Sequence, residues 1–428
     1  MRARERITLL LLTLFAAFTR FWNLATPTGF VFDEVYYVDG AKDYLKYGVE
    51  IDKSSPEFIV HPPIGKWIIS IGIKIFGDNE FGWRFMGALL GTLSIALIYL
   101  VAKKLFNSYF LATSAASLMA LDGLHLVLSR TALLDIFLTF FILLAFYNFI
   151  CERYWLSGIA LGLAIGSKWS GLYYLIAFLV IALYLELKNE KRIKVLLKRV
   201  NQLILVPSLI YTFSWSGWFF SKRGWDRQWG DDHGGFFSFI PGTIRSLWHY
   251  HSEMLNFHTG LTEAHSYSAN PWSWLILGRP TSFYYQSPNT CGGTACAQEV
   301  VALGTPLLWW FGSAALFVTI GYFISRREKI AGLILVGVAA GYLPWFFFQK
   351  RTVFSFYAIV FEPFIVLTIV YCFAKLLESP ATYNVRKQAL IAVHIAIALC
   401  FLYFYPLFVA TVTTYDDWHA RMWFTSWI

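Results

Sequence analysis

Apolar residues in this chain come in long runs separated by short polar stretches. The runs cover about residues 7–24, 83–102, 108–126, 132–150, 156–187, 200–218, 305–324, 330–348, 353–374 and 388–411. A helix of about 20 apolar residues matches a hydrocarbon core of about 30 Å. The run 156–187 is too long for one crossing, because as a single helix it would reach about 48 Å. Lys168 also interrupts it, and a charge at bilayer centre costs about 2.5–3.5 kcal/mol or more. Both flanks are basic: Arg153 before, and Lys188, Lys191, Arg192, Lys194, Lys198 and Arg199 after. Basic flanks mark cytoplasmic ends, so the segment between them crosses an even number of times. It therefore divides into 156–167 and 169–187, with Lys168 at an outer turn. The pattern predicts an all-α polytopic protein of about eleven transmembrane helices, N-terminus inside and C-terminus outside.

Charge in the connecting loops agrees with that count. The proposed inner loops hold Arg2, Arg4 and Arg6, then Lys103 and Lys104, Arg326, Arg327 and Lys329, and Arg386 and Lys387. The outer loop 23–82 instead has five lysines against nine acids. Every histidine except His394 falls on the outer side, so the polar chemistry is expected there. Within loop 23–82, the stretch 64–77 carries Lys66, Ser70 and Lys74 on one stripe. Ile64, Trp67, Ile68, Ile71 and Ile75 lie on the other. It is too short to span and reads as an amphipathic helix on the membrane surface. The second long outer loop, 219–304, is rich in aromatic residues, His and Gly, with no helix expected to cross. Residues 1–428 form one membrane domain with these two loops on its outer face.

Composition makes the membrane assignment firm. Hydrophobic residues are 57% and charged residues 14%, against roughly 25% charged in soluble domains; mean hydropathy is +0.54. This excludes a soluble enzyme, a disordered chain and a disulfide-rich secreted module. The net charge of +9 is accounted for by cytoplasmic loops and implies no nucleic-acid partner. The N-terminal MRARER followed by an apolar run resembles a signal peptide. Arg20 and Phe21-Trp22 follow it in place of a small-residue cleavage site, so an uncleaved first helix is expected.

Several outer residues are candidates for chemistry. Asp33 and Glu34, adjacent carboxylates just after the first span, suit a general base and an acceptor-positioning group; the plainer role for Asp33 is to cap the next helix. In HPPIGK (61–66) two prolines fix a rigid entry into the surface helix, and His61 is placed to bind or to anchor. Arg20, Arg84, Arg130, Lys168, Arg279, Lys350 and Arg351 lie at the outer face, where they could hold a lipid-linked phosphate or reach to headgroups. Lys168 and Arg351 stand out because each interrupts otherwise apolar sequence, and they are expected to face a common outer cavity that holds the phosphate. Asp122, Arg130 and Asp135 bracket a tight outer loop and suggest a structural ion pair. His249, His251, His258 and His265 do not follow a zinc spacing, so no metal is expected. Walker and dinucleotide motifs are missing. Cys291 and Cys296, flanking Gly-Gly-Thr-Ala in an outer loop, are expected to form a disulfide if the compartment is oxidising.

Motifs spread over nearly the whole chain carry a resemblance. They are FDEVYY (32–37), HPPIGKW (61–67), FGWRFMGALLG (81–91), SRTALLDIFLTFF (129–141), GSKWSGLY (166–173), HSYSANPWSWLILGRPTSFYY (265–285), LGTPLLWW (303–310) and KRTVFSFYAIVFEPF (350–364). In this order they resemble the protein O-mannosyltransferase family, integral-membrane glycosyltransferases of the GT-C type that use polyprenyl-phosphate mannose. The C-terminal WFTSWI looks like the bacterial branch. Loop 219–304 has no room for the sugar-binding-like domain of eukaryotic members. Trp274-Leu275 and Gly304-Thr305 depart from the bacterial Trp-Pro and Gly-Asn.

The resemblance implies an inverting transfer of mannose from the polyprenyl-phosphate carrier to Ser or Thr hydroxyls of proteins. The reaction would take place at the extracytoplasmic face of the plasma membrane, with Asp33 as base. Arg20, His61, Arg84, Arg130, Asp135, Lys168, His265, Arg279 and Arg351 are the candidates around the donor phosphate. The implied partners are the lipid-linked donor, acceptor proteins, membrane lipids and the protein-export machinery, with no further cofactor. Two other readings stay open on the residues alone: a transferase acting on a lipid or glycan, as aminoarabinose transferases do, and a transporter or flippase.

Overall fold

The computed structural model describes residues 2–188, 193–292 and 295–428; Lys191 and Arg192 of the basic flank lie outside them. All eleven predicted apolar segments contain a helix. In chain order these are α1 (Ala3–Phe21), α2 (Glu34–Tyr47), α3 (Ile64–Phe76), α4 (Glu80–Phe106), α5 (Tyr109–Ala120), α6 (Gly123–Ser129), α7 (Leu134–Ile150), α8 (Tyr154–Ser167) and α9 (Gly171–Lys188). The second half adds α10 (Ile193–Val200), α11 (Val206–Ser214), α12 (Ser216–Phe220), α13 (Trp229–Asp232), α14 (Gly242–Gly260), α15 (Pro306–Arg326), α16 (Lys329–Tyr342), α17 (Glu362–Leu376), α18 (Tyr383–Phe408) and α19 (Tyr415–His419).

Five described helices are long and apolar enough to cross a membrane: α4, α9, α15, α16 with its extension to Phe348, and α18 with the turn before it. The bent pair α5–α6, meeting at 63°, makes a sixth if taken as one span, and α7 and α8 are apolar but shorter. The division at Lys168 is observed: α8 ends at Ser167 and Lys168 is extended. The run 108–126, expected to be one helix, is broken instead. Asp122 turns its carboxylate inward to accept the Thr305 amide at 2.8 Å and the Trp309 indole N–H at 3.1 Å.

Burial follows sequence. α7 is apolar on all sides and buried on nearly all of them, as a helix at the centre of a bundle must be. On α1, by contrast, Ile7, Leu10, Leu11 and Leu14 face outward, the side that lipid would cover. α8 packs on α11 and the helical turn 201–205 before it through Gly162 and Gly158; a Cβ there would strike the Pro207 carbonyl at 3.0 Å and the Gln202 carbonyl. Small residues at this spacing let two helix backbones approach closely.

The loops are more ordered than their sequence suggested. Loop 23–82 forms α2, a hairpin of β1 (Ile51–Asp52) and β2 (Ser55–Pro56), and α3. In α3 the expected orientation is reversed in part. Lys66 and Ser70 are buried inside the protein, while Ile71 and Ile75 are exposed. Lys66 is drawn inward by an ion pair with Glu50. Loop 219–304 contains a helix long enough to cross, the 19-residue α14, but its Arg, His and Glu residues make it too polar to count as a span. The same loop supplies β3 (Thr281–Gln286) and β4 (Cys296–Ala302), which form an antiparallel sheet in the order β3-β4-β5 with β5 (Thr413–Thr414). The segment after α18 therefore packs on loop 219–304, on the same side of the molecule. The Cys291–Cys296 disulfide is present, with Cα atoms 5.8 Å apart.

Candidate active site

Asp33 sits at the turn into α2, but its side chain makes no capping hydrogen bond. The turn is held open by Phe32, whose φ of +51° is unusual for a bulky side chain. Its ring stacks on Phe283 at 4.6 Å and meets Phe354 and Phe356 edge-on at 5.8 and 5.6 Å. This aromatic clamp spans three distant parts of the chain and fixes the direction of Asp33. Non-glycine backbone held at positive φ occurs mostly where the surroundings impose it, often at functional sites.

Asp33 lines a cavity of 520 Å³ together with His61, Lys168, His258, His265 and Arg351. A second cavity of 210 Å³, walled by Trp169, Leu172, Tyr173, Leu255, Trp345 and Phe348, adjoins it. The two share His61, Lys168, His258, Arg351 and Tyr357. Cations and imidazoles thus stand where a polar basin meets an apolar groove. Leu172 and Leu255 are also exposed at the molecular surface, so the groove has an open, apolar mouth.

The cations at this junction differ in their partners. Lys168 is ion-paired to Asp135, with Nζ–O distances of 2.8 and 3.0 Å, and lies 4.5 Å from the Tyr357 ring centroid. Arg351 makes no ion pair among the described residues. Its Nε is buried without a partner, one Nη lies 3.4 Å from His258 Nδ1, and the guanidinium lies 5.9 Å from the Trp345 ring centroid. Burial pushes His61 well below its usual pKa and His258 down to about 4, with the nearby cations adding to the effect. Both rings are neutral at ordinary pH. His258 Nε2–H donates to the Val60 carbonyl at 2.6 Å, which leaves its Nδ1 to accept from Arg351, while His61 Nδ1 is buried without a partner among the described residues. Burial pushes the Asp33 carboxyl up to about 6, the Lys168 ammonium opposing and the Asp135 carboxylate adding.

The other residues singled out from the sequence lie elsewhere. Glu34 is fully buried and does not line the cavity. It takes two bonds from Arg84, both 2.9 Å, and accepts the backbone N–H groups of Val31 and Ala132. Arg84 also donates to the carbonyls of Leu24, Pro27 and Gly29. Arg130 donates to the carbonyls of Thr19, Arg20, Trp22 and Asn23, capping the end of α1. Arg20 is fully buried against His125 at 2.8 Å, which also places His125 inside rather than in an outer loop. Arg279 holds the carbonyls of Ser266 and Ile428. These arginines are engaged with protein carbonyls, the Glu34 carboxylate and a ring nitrogen, so they are not free for a phosphate. The expected ion pair among Asp122, Arg130 and Asp135 does not form, because each has a closer partner. His265 lines the cavity with its ring edge-on to Phe354 at 5.0 Å. Lys350 is exposed. His258, considered in the sequence only as a metal candidate, belongs to the site. Its neighbour His251 is taken up by Tyr211 at 2.7 Å, and His249 stacks on Trp229 at 4.2 Å. Among the described residues no three metal-ligating side chains converge.

Known proteins share this plan. The family model for dolichyl-phosphate-mannose-protein mannosyltransferase matches residues 10–217, and that for the C-terminal four-helix region of protein O-mannosyltransferase matches residues 243–427. A polyprenol-phosphate-mannose–protein mannosyltransferase of Mycobacterium tuberculosis is 32% identical, covering 100% of this chain and 92% of its own length. The Corynebacterium glutamicum protein of the same name is 31% identical over 97% of this chain and 92% of its own. In fold, the chain is similar to the S. cerevisiae protein O-mannosyltransferase Pmt1–Pmt2 complex bound to the sugar donor. The TM-score is 0.82 at 17% identity, covering 100% of this chain and 93% of that one. ArnT from Cupriavidus metallidurans bound to undecaprenyl phosphate has a TM-score of 0.54 at 14% identity, covering 92% and 70%. Matched end to end by bacterial relatives, with a GT-C-type fold around its cavity, this chain belongs to the protein O-mannosyltransferase family.

Proposed function

We propose that the protein transfers mannose from polyprenyl-phosphate mannose to Ser or Thr hydroxyls of proteins, at the extracytoplasmic face of the plasma membrane. The observation that carries this is the unpaired Arg351 beside Lys168, at the border between the Asp33 cavity and the apolar groove. A lipid-linked phosphate has the charge and the tail for that border. On this reading the chain crosses the membrane eleven times, and proteins leaving the export machinery present their hydroxyls to the basin.

The step needs no cofactor. The acceptor oxygen attacks the anomeric carbon from the side opposite the phosphate. As that bond forms, the bond from carbon to the phosphate oxygen breaks, and the hydroxyl proton passes to the Asp33 carboxylate. The electron pair leaves with polyprenyl phosphate, whose added charge Lys168 and Arg351 stabilise. Attack from the opposite face inverts the anomeric configuration. Asp135 keeps Lys168 aimed at the junction, His61 offers a ring nitrogen for a hydrogen bond, and His258, tied to the Val60 carbonyl, orients Arg351 through its Nδ1. Purified protein supplied with labelled polyprenyl-phosphate mannose and a Ser/Thr-rich peptide should yield mannosyl peptide of inverted configuration. Label passing only to lipid or glycan acceptors would sink the reading.

Two expectations follow from the same geometry. Arg351→Met removes a charge without orphaning a carboxylate. A charge-assisted hydrogen bond contributes about 1.5–3 kcal/mol, so the donor KM should rise roughly ten- to a hundredfold with melting temperature little changed; an unchanged KM would place the phosphate elsewhere. The second concerns pH. A base must be deprotonated to act, and Asp33 has a pKa of about 6. Turnover should be level above that value and fall about tenfold per pH unit below it. A profile flat down to about pH 4.5 would show that Asp33 is not the base.

A further inference from the structure

Glu50 and Lys66 take no part in the step above, yet both line the Asp33 cavity. They are 4% and 5% exposed and ion-paired through Glu50 Oε2. The second carboxylate oxygen, Oε1, is buried with no hydrogen-bond partner among the described residues. A pair kept only for packing would be served as well by apolar side chains of similar volume. A carboxylate oxygen left unpaired beside a cavity is instead placed to accept a hydrogen bond from what fills it.

The geometry of α2 sets the distance. Gly40 lies seven residues after Asp33, two turns along the same face and about 10 Å away. A Cβ at Gly40 would run into the Glu50 carboxylate and come within 2.9 Å of the Lys66 chain. The bare backbone at Gly40 therefore seats the pair on the helix that carries Asp33. A hexose whose anomeric carbon faces the hydroxyl held at Asp33 can extend along this face of the helix toward Glu50 and Lys66. Each sugar hydroxyl both donates and accepts. A carboxylate oxygen takes the proton of one hydroxyl while an ammonium donates to its neighbour.

We infer that Glu50 and Lys66 form the subsite that reads the non-reacting hydroxyls of the transferred sugar, an inference that rests on the mannosyl-transfer reading. The test uses the full-length protein and polyprenyl-phosphate mannose analogues lacking one hydroxyl at a time. With the wild type, loss of one or two of the hydroxyls should lower kcat/KM at least tenfold. With Glu50→Gln the same losses should cost less than twofold, while the penalties for the remaining hydroxyls stay as in the wild type. Gly40→Ala keeps both charges and displaces the carboxylate, so it should erase the same penalties even if Glu50→Gln folds poorly. The subsite is overturned if no deletion costs the wild type more than twofold. It is equally overturned if the penalties are unchanged in the folded variants. Failure of the wild type to transfer from the parent donor would count against the mannosyl-transfer reading instead.

Discussion

Asp33→Asn should lower turnover by at least about a hundredfold while leaving folding and donor binding nearly intact. A Ser or Thr hydroxyl is a weak nucleophile until its proton has an acceptor. General-base help is typically worth about 10²–10⁴ in rate, or roughly 2.7–5.5 kcal/mol. Asparagine keeps the shape and the hydrogen-bonding capacity but loses the basicity. The cavity sharpens this expectation, because a carboxyl with a pKa of about 6 is a stronger base than an exposed aspartate and is still ionised at neutral pH. The Asp33 carboxylate makes no ion pair among the described residues, whereas Asp135 is held by Lys168. Loss confined to kcat in a single-turnover assay, with donor affinity within about twofold of wild type, is the expected signature. Near wild-type turnover would assign the base to another carboxylate lining the cavity, with Glu57 and Glu263 to be tested next.

Glu34→Ala should be among the most destabilising single substitutions in the outer loops, and its loss of activity should follow from loss of structure. From the sequence, Glu34 stood beside Asp33 as an acceptor-positioning group. In the structure its carboxylate receives two Arg84 bonds and two backbone N–H groups in full burial. Removing one member of such a pair leaves the other charge buried and alone, which costs about 3–5 kcal/mol. The carbonyls of Leu24, Pro27 and Gly29 depend on the same Arg84, so the segment carrying Asp33 should loosen with it. Thermal melting in detergent should show a clear fall. The variant Glu34→Gln, which keeps an oxygen to accept from Arg84 and the backbone N–H groups, should lose less. A variant Glu34→Ala that melts like the wild type yet transfers poorly would return Glu34 to the acceptor side.

Much of the architecture was legible because lipid makes simple demands. Unbroken apolar runs, basic flanks and the cost of Lys168 inside one run marked eleven apolar helix-bearing segments and the break at Lys168, but not the helices of the outer loops such as α14. A disulfide was readable from Cys291 and Cys296 because a short gap limits where two sulfurs can go. The family was readable because its motifs occur in a fixed order along the whole chain. Local pattern did not extend to partners far apart in sequence. Apolar surroundings in sequence set Lys168 and Arg351 apart from the other outer cations, but what Arg20, Arg84, Arg130 and Arg279 bind was decided only by tertiary packing. Four found carbonyls, a carboxylate or a ring nitrogen near at hand, while Arg351 was left facing the cavity. Helical spacing drew Lys66 on a water-facing stripe, but an ion pair with Glu50, sixteen residues away, turned that stripe inward. Asp33 and Glu34 are neighbours in sequence with opposite surroundings, because a turn held by Phe32 aims one at the basin and buries the other. Which groups are available is decided residue by residue, since solvation costs act on each residue where it stands. Which of them stay unpaired depends on who else reaches them, and that is a property of the packed chain.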